Sequence, residues 1–146
     1  MKFEEFKLPS KIGKLLSTGY YLISYIITDE KGFRIAFYNN ENDIDDIVFD
    51  FGYTVEDYRV SDEGRRLNDH HVSAKFPERW LLIEVKDSEY LKKLDKESGG
   101  LLLAINPDLK HYMTGDLDYS VDIITRAEPK VYKAKRIYQE KTKKLL

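Results

Sequence analysis

Cysteine is absent from all 146 residues, which removes disulfide staples and thiolate metal sites together and leaves nothing that argues for an oxidising compartment. Long apolar runs are missing as well. No stretch approaches the roughly 18 uninterrupted apolar residues that a spanning helix needs. The start, MKFEEFKLPSKIGK, is charged throughout, so neither a secretory leader nor a membrane anchor is expected. The expected compartment is the cytoplasm. Four prolines are scattered along the chain, without an internal repeat or a low-complexity tract to mark a linker. One domain spanning 1–146 is therefore expected, a length that suffices for a proper core. Lysine and arginine are missing from Asn39 to Asp57, a stretch that holds seven acids: Glu41, Asp43, Asp45, Asp46, Asp50, Glu56 and Asp57.

Several catalytic signatures are also lacking. There is no G-x-S-x-G elbow, no H-x-H or H-E-x-x-H spacing, and neither G-x-x-x-x-G-K-[ST] nor G-x-G-x-x-G. This disfavours nucleophilic catalysis, a spaced metal site and a phosphate cradle.

What is present describes a folded, well-solvated protein, with 42% hydrophobic and 34% charged residues and a net charge of -2. Disordered chains have fewer aromatics and a larger net charge. The end of the chain reverses the acidic middle: Lys130, Lys133, Lys135, Arg136, Lys141, Lys143 and Lys144 face only Glu140. Such blocks create potentials that attract opposite partners.

The patterns divide into strands and a few helices. PSKIGKLLSTG predicts a short helix with Ser10 as its cap and Gly19 as its end. YYLISYIITDE and FRIAFYNN, split by EKG, predict a hairpin. DIVFDFGY and TVEDYRV extend it into an antiparallel meander, and ERWLLIEVKD predicts a more central strand. In DSEYLKKLDKESGG, Asp87 or Ser88 caps a helix that carries a Glu89 to Lys93 pair and ends at Gly99. LKHYMTGD and YSVDIITRAEPKV predict two more strands. Val131, Ala134, Tyr138 and Leu145 recur at helical spacing, which makes 130–146 a basic C-terminal helix or tail. Without a βαβα alternation, the class is α+β, a single domain built on a mainly antiparallel β-sheet with a few short helices packed on it.

The cluster YRVSDEGRR raises the question of a catalytic acid pair. Its neighbouring arginines predict ionised, salt-bridged carboxylates at Asp62 and Glu63, and a general acid needs a shifted pKa in a cleft. The expectation is a braced turn. His70 and His71 are adjacent and diverge, so they share a metal poorly, and His111 is expected to cap or pack against the sheet. Neither a metal nor a cofactor is assigned. Nucleic acid is disfavoured, because the acidic stretch would repel the phosphates that the basic end attracts. The alternatives left open are a metal-dependent hydrolase using His70, His111, Asp62 or Glu63, and an RNA-binding or regulatory adaptor acting through the basic C-terminal segment.

The ordered segments YNNENDIDDIVFDFG, YRVSDEGRR, WLLIEVKDSEYLKKL, LKHYM and VDIITRAEPKV resemble the small immunity proteins that accompany bacterial polymorphic and contact-dependent growth-inhibition toxins. The match spans roughly Gly19 to Val131, and its motifs are patterns of structural residues. The resemblance implies a non-enzymatic antidote, a monomer or homodimer, that binds one cognate toxin domain, often a nuclease and commonly basic. On that reading Glu41, Asp43, Asp45, Asp46 and Asp50 steer the encounter, with Asp57, Asp62 and Glu63 secondary to them. Tyr38 and Tyr53 serve as anchors that slow dissociation.

Overall fold

A computed structural model of the chain describes residues 2–13, 21–39, 45–62, 81–116 and 119–136. Its described elements, in order, are β1 (Lys2–Glu5), α1 (Ser10–Gly13), β2 (Tyr21–Asp29), β3 (Gly32–Asn39), β4 (Asp45–Gly52), β5 (Val55–Asp62), β6 (Ile83–Lys86), α2 (Glu89–Glu97), α3 (Leu101–Ile105), β7 (Lys110–Gly115), β8 (Tyr119–Thr125) and β9 (Lys130–Lys135). The class is α+β, with antiparallel sheets and short helices. Two compact units are present. One comprises Met1–Phe6 and Thr54–Glu128, the other Lys7–Tyr53 and Pro129–Leu146.

The second of these units is built on a four-stranded sheet ordered β2-β3-β4-β9. Alternation makes its core: Phe33, Ile35 and Phe37 on β3 share a face with Ile47, Phe49 and Phe51 on β4, and all six are buried. Edge-to-face rings lock the two strands, with centroids 5.9 Å apart for Phe33 and Phe51 and 5.7 Å apart for Phe37 and Phe49. Burying each such ring contributes about 2–3 kcal/mol, so this face supplies much of the unit's stability. The hairpin foreseen at EKG is present, and β2 carries a bulge between Ile23 and Tyr25.

The other unit carries a five-stranded sheet ordered β1-β6-β7-β8-β5. Strand β6 has a neighbour on each side, as expected of a more central strand. Helix α2 follows it directly. Ser88 is its cap and accepts a hydrogen bond from the Leu91 N–H at 3.0 Å. At its end Gly99 and Gly100 take φ of +69° and +82°, and the Gly100 N–H returns to the Asp95 carbonyl at 2.8 Å. Both sequence signals, the serine cap and the glycine stop, act as expected. The described ion pair at Glu89, however, is with Lys92 at 3.6 Å, and Lys92 also holds Asp87 at 2.6 Å.

Two expectations are corrected, and two elements are added that no pattern predicted. Strand β5 does not extend the β2-β3-β4 meander; it pairs with β8 in the other sheet, from Val55↔Thr125 to Asp62↔Tyr119. The place beside β4 is taken by β9, so the start of the expected C-terminal helix is a strand over Lys130–Lys135. Val131 and Tyr132 suit a strand, and β4 offers an unpaired edge whose Asp45 and Asp50 meet Lys135 and Lys130. Cross-strand pairing thereby outweighs a helical spacing of few residues. Finally, LLLAI forms the short helix α3, and KFEE pairs with β6 as strand β1 despite its charge. No helix among the described residues is long and apolar enough to cross a membrane.

Candidate functional site

The acid-rich strand β4 is occupied from within. Asp45 lies opposite Lys135, Asp46 opposite Ala134 and Asp50 opposite Lys130. Asp46 is 1% exposed. Its carboxylate accepts from Arg136 Nε at 3.1 Å and from Ser24 Oγ at 2.9 Å. Arg136 also donates to the Asn39 carbonyl at 3.3 Å and lies 4.8 Å from the Tyr38 ring centroid. An acid buried and bonded in this way is part of the fold and is not offered to a partner. Asp50 is half-buried and accepts the Gly52 N–H at 2.9 Å. Tyr38, half-buried against Arg136, belongs to the same interior arrangement. Tyr53 is 69% exposed, and its hydroxyl donates to the Glu30 carbonyl across the hairpin end.

Strand β5 behaves differently. Its residues alternate without exception between half-buried and exposed: Val55, Asp57, Arg59 and Ser61 face in, Glu56, Tyr58, Val60 and Asp62 face out. It has one strand neighbour, β8, in the described sheet. On the outward row Tyr58 is 40% and Val60 44% exposed. Tyr119, which is Asp62's register partner on β8, is 50% exposed. Glu56 at one end is paired with Arg126 at 3.0 Å. The result is a short aromatic and aliphatic strip with a carboxylate at each end.

Behind that strip lies a buried polar network that joins three strands and a helix. Arg59 Nε bonds Asp122 Oδ2 at 2.9 Å, and Asp122 Oδ1 meets His111 Nε2 at 2.7 Å. His111 Nδ1 lies 2.6 Å from Ser88 Oγ. The Arg59 guanidinium sits 4.0 Å from the Tyr90 ring centroid, and the Tyr90 hydroxyl donates to Asp57 Oδ2 at 3.2 Å. Asp122 is 0%, His111 4% and Ser88 5% exposed. Burial first, then the Asp57 carboxylate, raises the Tyr90 phenol above its ordinary value. Among the described residues no buried side-chain nitrogen or oxygen lacks a partner, so the network is closed, as a low-dielectric interior requires.

Serine, histidine and aspartate in sequence contact invite comparison with a nucleophilic triad. The order of contacts is that of a triad, but here the serine is buried and its hydroxyl also caps α2. Ser88 Oγ accepts the helix N–H of Leu91 and is hydrogen-bonded to His111 Nδ1, and His111 Nε2 is hydrogen-bonded to Asp122. Asp122 is in turn neutralised by Arg59. These bonds tie helix α2 and strand β5 to the sheet.

Of the residues singled out from sequence, Glu41, Asp43 and Glu63, with His70 and His71, lie outside the described residues. Those described fall on separate units: Tyr38, Asp45, Asp46, Asp50 and Tyr53 in one, Asp57 and Asp62 in the other. The expectation that His111 packs against the sheet holds, since it is a buried residue of β7. The partnership of Ser88 with His111 was not foreseen, because 23 residues separate them. Its one signal is Asp122, an acid inside the apolar run SVDIIT, where a charge must find a partner. Tyr58, Val60 and Tyr119 were also missed as exposed positions. No protein-family model, no curated protein and no solved structure matches this chain.

Proposed function

We propose that this chain is a non-enzymatic immunity protein that binds a cognate toxin domain and neutralises it by contact, through the outward face of β5. The observation that carries the reading is the strip Tyr58, Val60 and Tyr119 between Glu56 and Asp62. Scattered exposed apolar residues need no explanation. Three that gather at a sheet edge, with two tyrosines among them and acids at both ends, have the make-up of an interface core with a polar rim. Asp62 favours a basic partner and raises its rate of encounter, Glu56 being already paired with Arg126, while the tyrosines supply buried area once it has docked. Contact inhibition needs no catalytic group, which agrees with Ser88, His111 and Asp122 being spent on internal bonds. Of the earlier candidates, Asp62 remains on the contact face, Asp57 backs it, and Asp46 leaves the set because it is buried.

The test is inhibition of the toxin domain encoded beside this chain's gene. Toxin activity titrated with purified chain should fall linearly and reach zero at stoichiometric addition. Loss of activity at a small fraction of that amount would mean turnover by an enzyme, and no loss at excess chain would remove the immunity reading.

A further inference from the structure

Strand β5 is unusual in what holds it. It is the last strand of its described sheet, and none of its eight side chains is buried. Its neighbour β8 buries Val121, Asp122, Ile123, Ile124 and Thr125. Edge strands with little apolar burial are the elements that open first. Beyond the backbone ladder, the inner row of β5 is engaged by charges and hydrogen bonds, through Arg59 to Asp122 and Asp57 to Tyr90. Asp57 works in both directions, since its Oδ1 accepts the N–H of Tyr58 at 2.9 Å, and Tyr58 is the central residue of the outward strip.

We propose that this polar network is a latch that fixes the outward face of β5 in its binding geometry, with Arg59 and Tyr90 as positioning residues that touch no partner. The proposal rests on the reading of that face as the contact surface. Physically, Tyr90 presents a π face beneath the guanidinium and a hydroxyl to Asp57, so α2 grips two consecutive inward residues of β5. His111 extends the grip, because it ties the other oxygen of Asp122 to the cap of the same helix. Strand and helix are thereby held to β8 by one continuous set of bonds. A prepaid order of this kind lowers the cost of docking a partner on the strand.

Amide hydrogen exchange of the free full-length chain tests the latch without any partner. In Arg59→Met the amides of 55–62 should exchange roughly tenfold faster or more, as expected for loss of a charge-assisted bond, while those of β6 and β7 keep their wild-type protection. Tyr90→Phe keeps the ring under Arg59 and loses only the bond to Asp57. It should give a smaller acceleration confined to the same strand, and it stays informative if Arg59→Met fails to fold. Unchanged protection of β5 in Tyr90→Phe, or acceleration spread evenly over β5 to β8, would overturn the latch. Because exchange is read on the free chain, a negative toxin titration leaves this result standing and a positive one does not substitute for it.

Discussion

Arg136 Nε and Asp46 Oδ1 meet at 3.1 Å inside the sheet, with side chains only 8% and 1% exposed. This contact joins the basic end of the chain to its acidic middle, 90 residues apart. Two charge blocks that look like separate surface patches in the sequence are in part each other's partner. The acidic strand therefore has less charge to offer than its composition indicates.

Breaking that pair from one side should be costly. Arg136→Met leaves the Asp46 carboxylate buried with Ser24 as its remaining described side-chain donor, and should destabilise the protein by about 3 kcal/mol. The double substitution Arg136→Met with Asp46→Leu removes both charges and should lose less than the single change. Urea denaturation of the two variants checks the order; a double variant weaker than Arg136→Met would contradict it.

Ser88→Ala removes two bonds at once, the α2 cap and the partner of His111 Nδ1. The expected loss is about 2 kcal/mol, seen as a lower denaturation midpoint with an unchanged slope. Ser88→Asp keeps a cap acceptor but puts a larger carboxylate in the buried place of the hydroxyl beside His111, so it should recover only part of the loss.

High pH should weaken the fold through its tyrosines. Burial, followed by Asp57, raises Tyr90 above the ordinary phenol value, and burial, followed by Glu84, raises Tyr112. The unfolded chain ionises these phenols near 10, while the folded chain keeps them protonated. Their contribution is complete below that pH and is lost progressively as the pH rises above it. Tyr90→Phe should show a shallower fall in stability on the alkaline side, with phenolate absorbance reporting one fewer late-titrating tyrosine. An equal fall in both proteins would refute the assignment.

The hairpin between β2 and β3 sets a different limit. Gly32 takes φ of +98°, and a Cβ there would overlap the Gly52 carbonyl, whereas a Cβ on Gly52, at φ of +58°, meets nothing within 4 Å. Gly32→Ala should destabilise clearly more than Gly52→Ala, which carries only the left-handed backbone cost of about 1 kcal/mol. Thermal melts of the two variants make the comparison.

Local signals were legible and long-range ones were not. Alternation of Phe33, Ile35 and Phe37, the EKG turn, the Ser88 cap and the Gly99 stop each act over a few residues, and each is found where the sequence places it. The sheet that β5 joins depends on β8, whose Thr125 bonds Thr54 across 71 positions, and no local pattern encodes that choice. In Lys130 to Lys135 the i,i+3 spacing of Val131 and Ala134 fits a helix and places the two on opposite faces of a strand, yet pairing with β4 makes the segment a strand. Charge runs misled for a related reason. Asp46 reads as one surface acid among several until Arg136 and Ser24 are seen around it.

The proposed contact face can be tested by calorimetric titration with the toxin domain that the immunity reading places beside the gene, comparing the wild-type chain with Tyr58→Ala and with Glu56→Lys plus Asp62→Lys at two salt concentrations. The account predicts that wild-type affinity falls with salt, that Tyr58→Ala weakens binding roughly thirtyfold, as for an interface anchor worth about 2 kcal/mol, and that the double charge reversal flattens the salt dependence. Wild-type affinity and salt dependence in both variants, in proteins that remain folded, would contradict it.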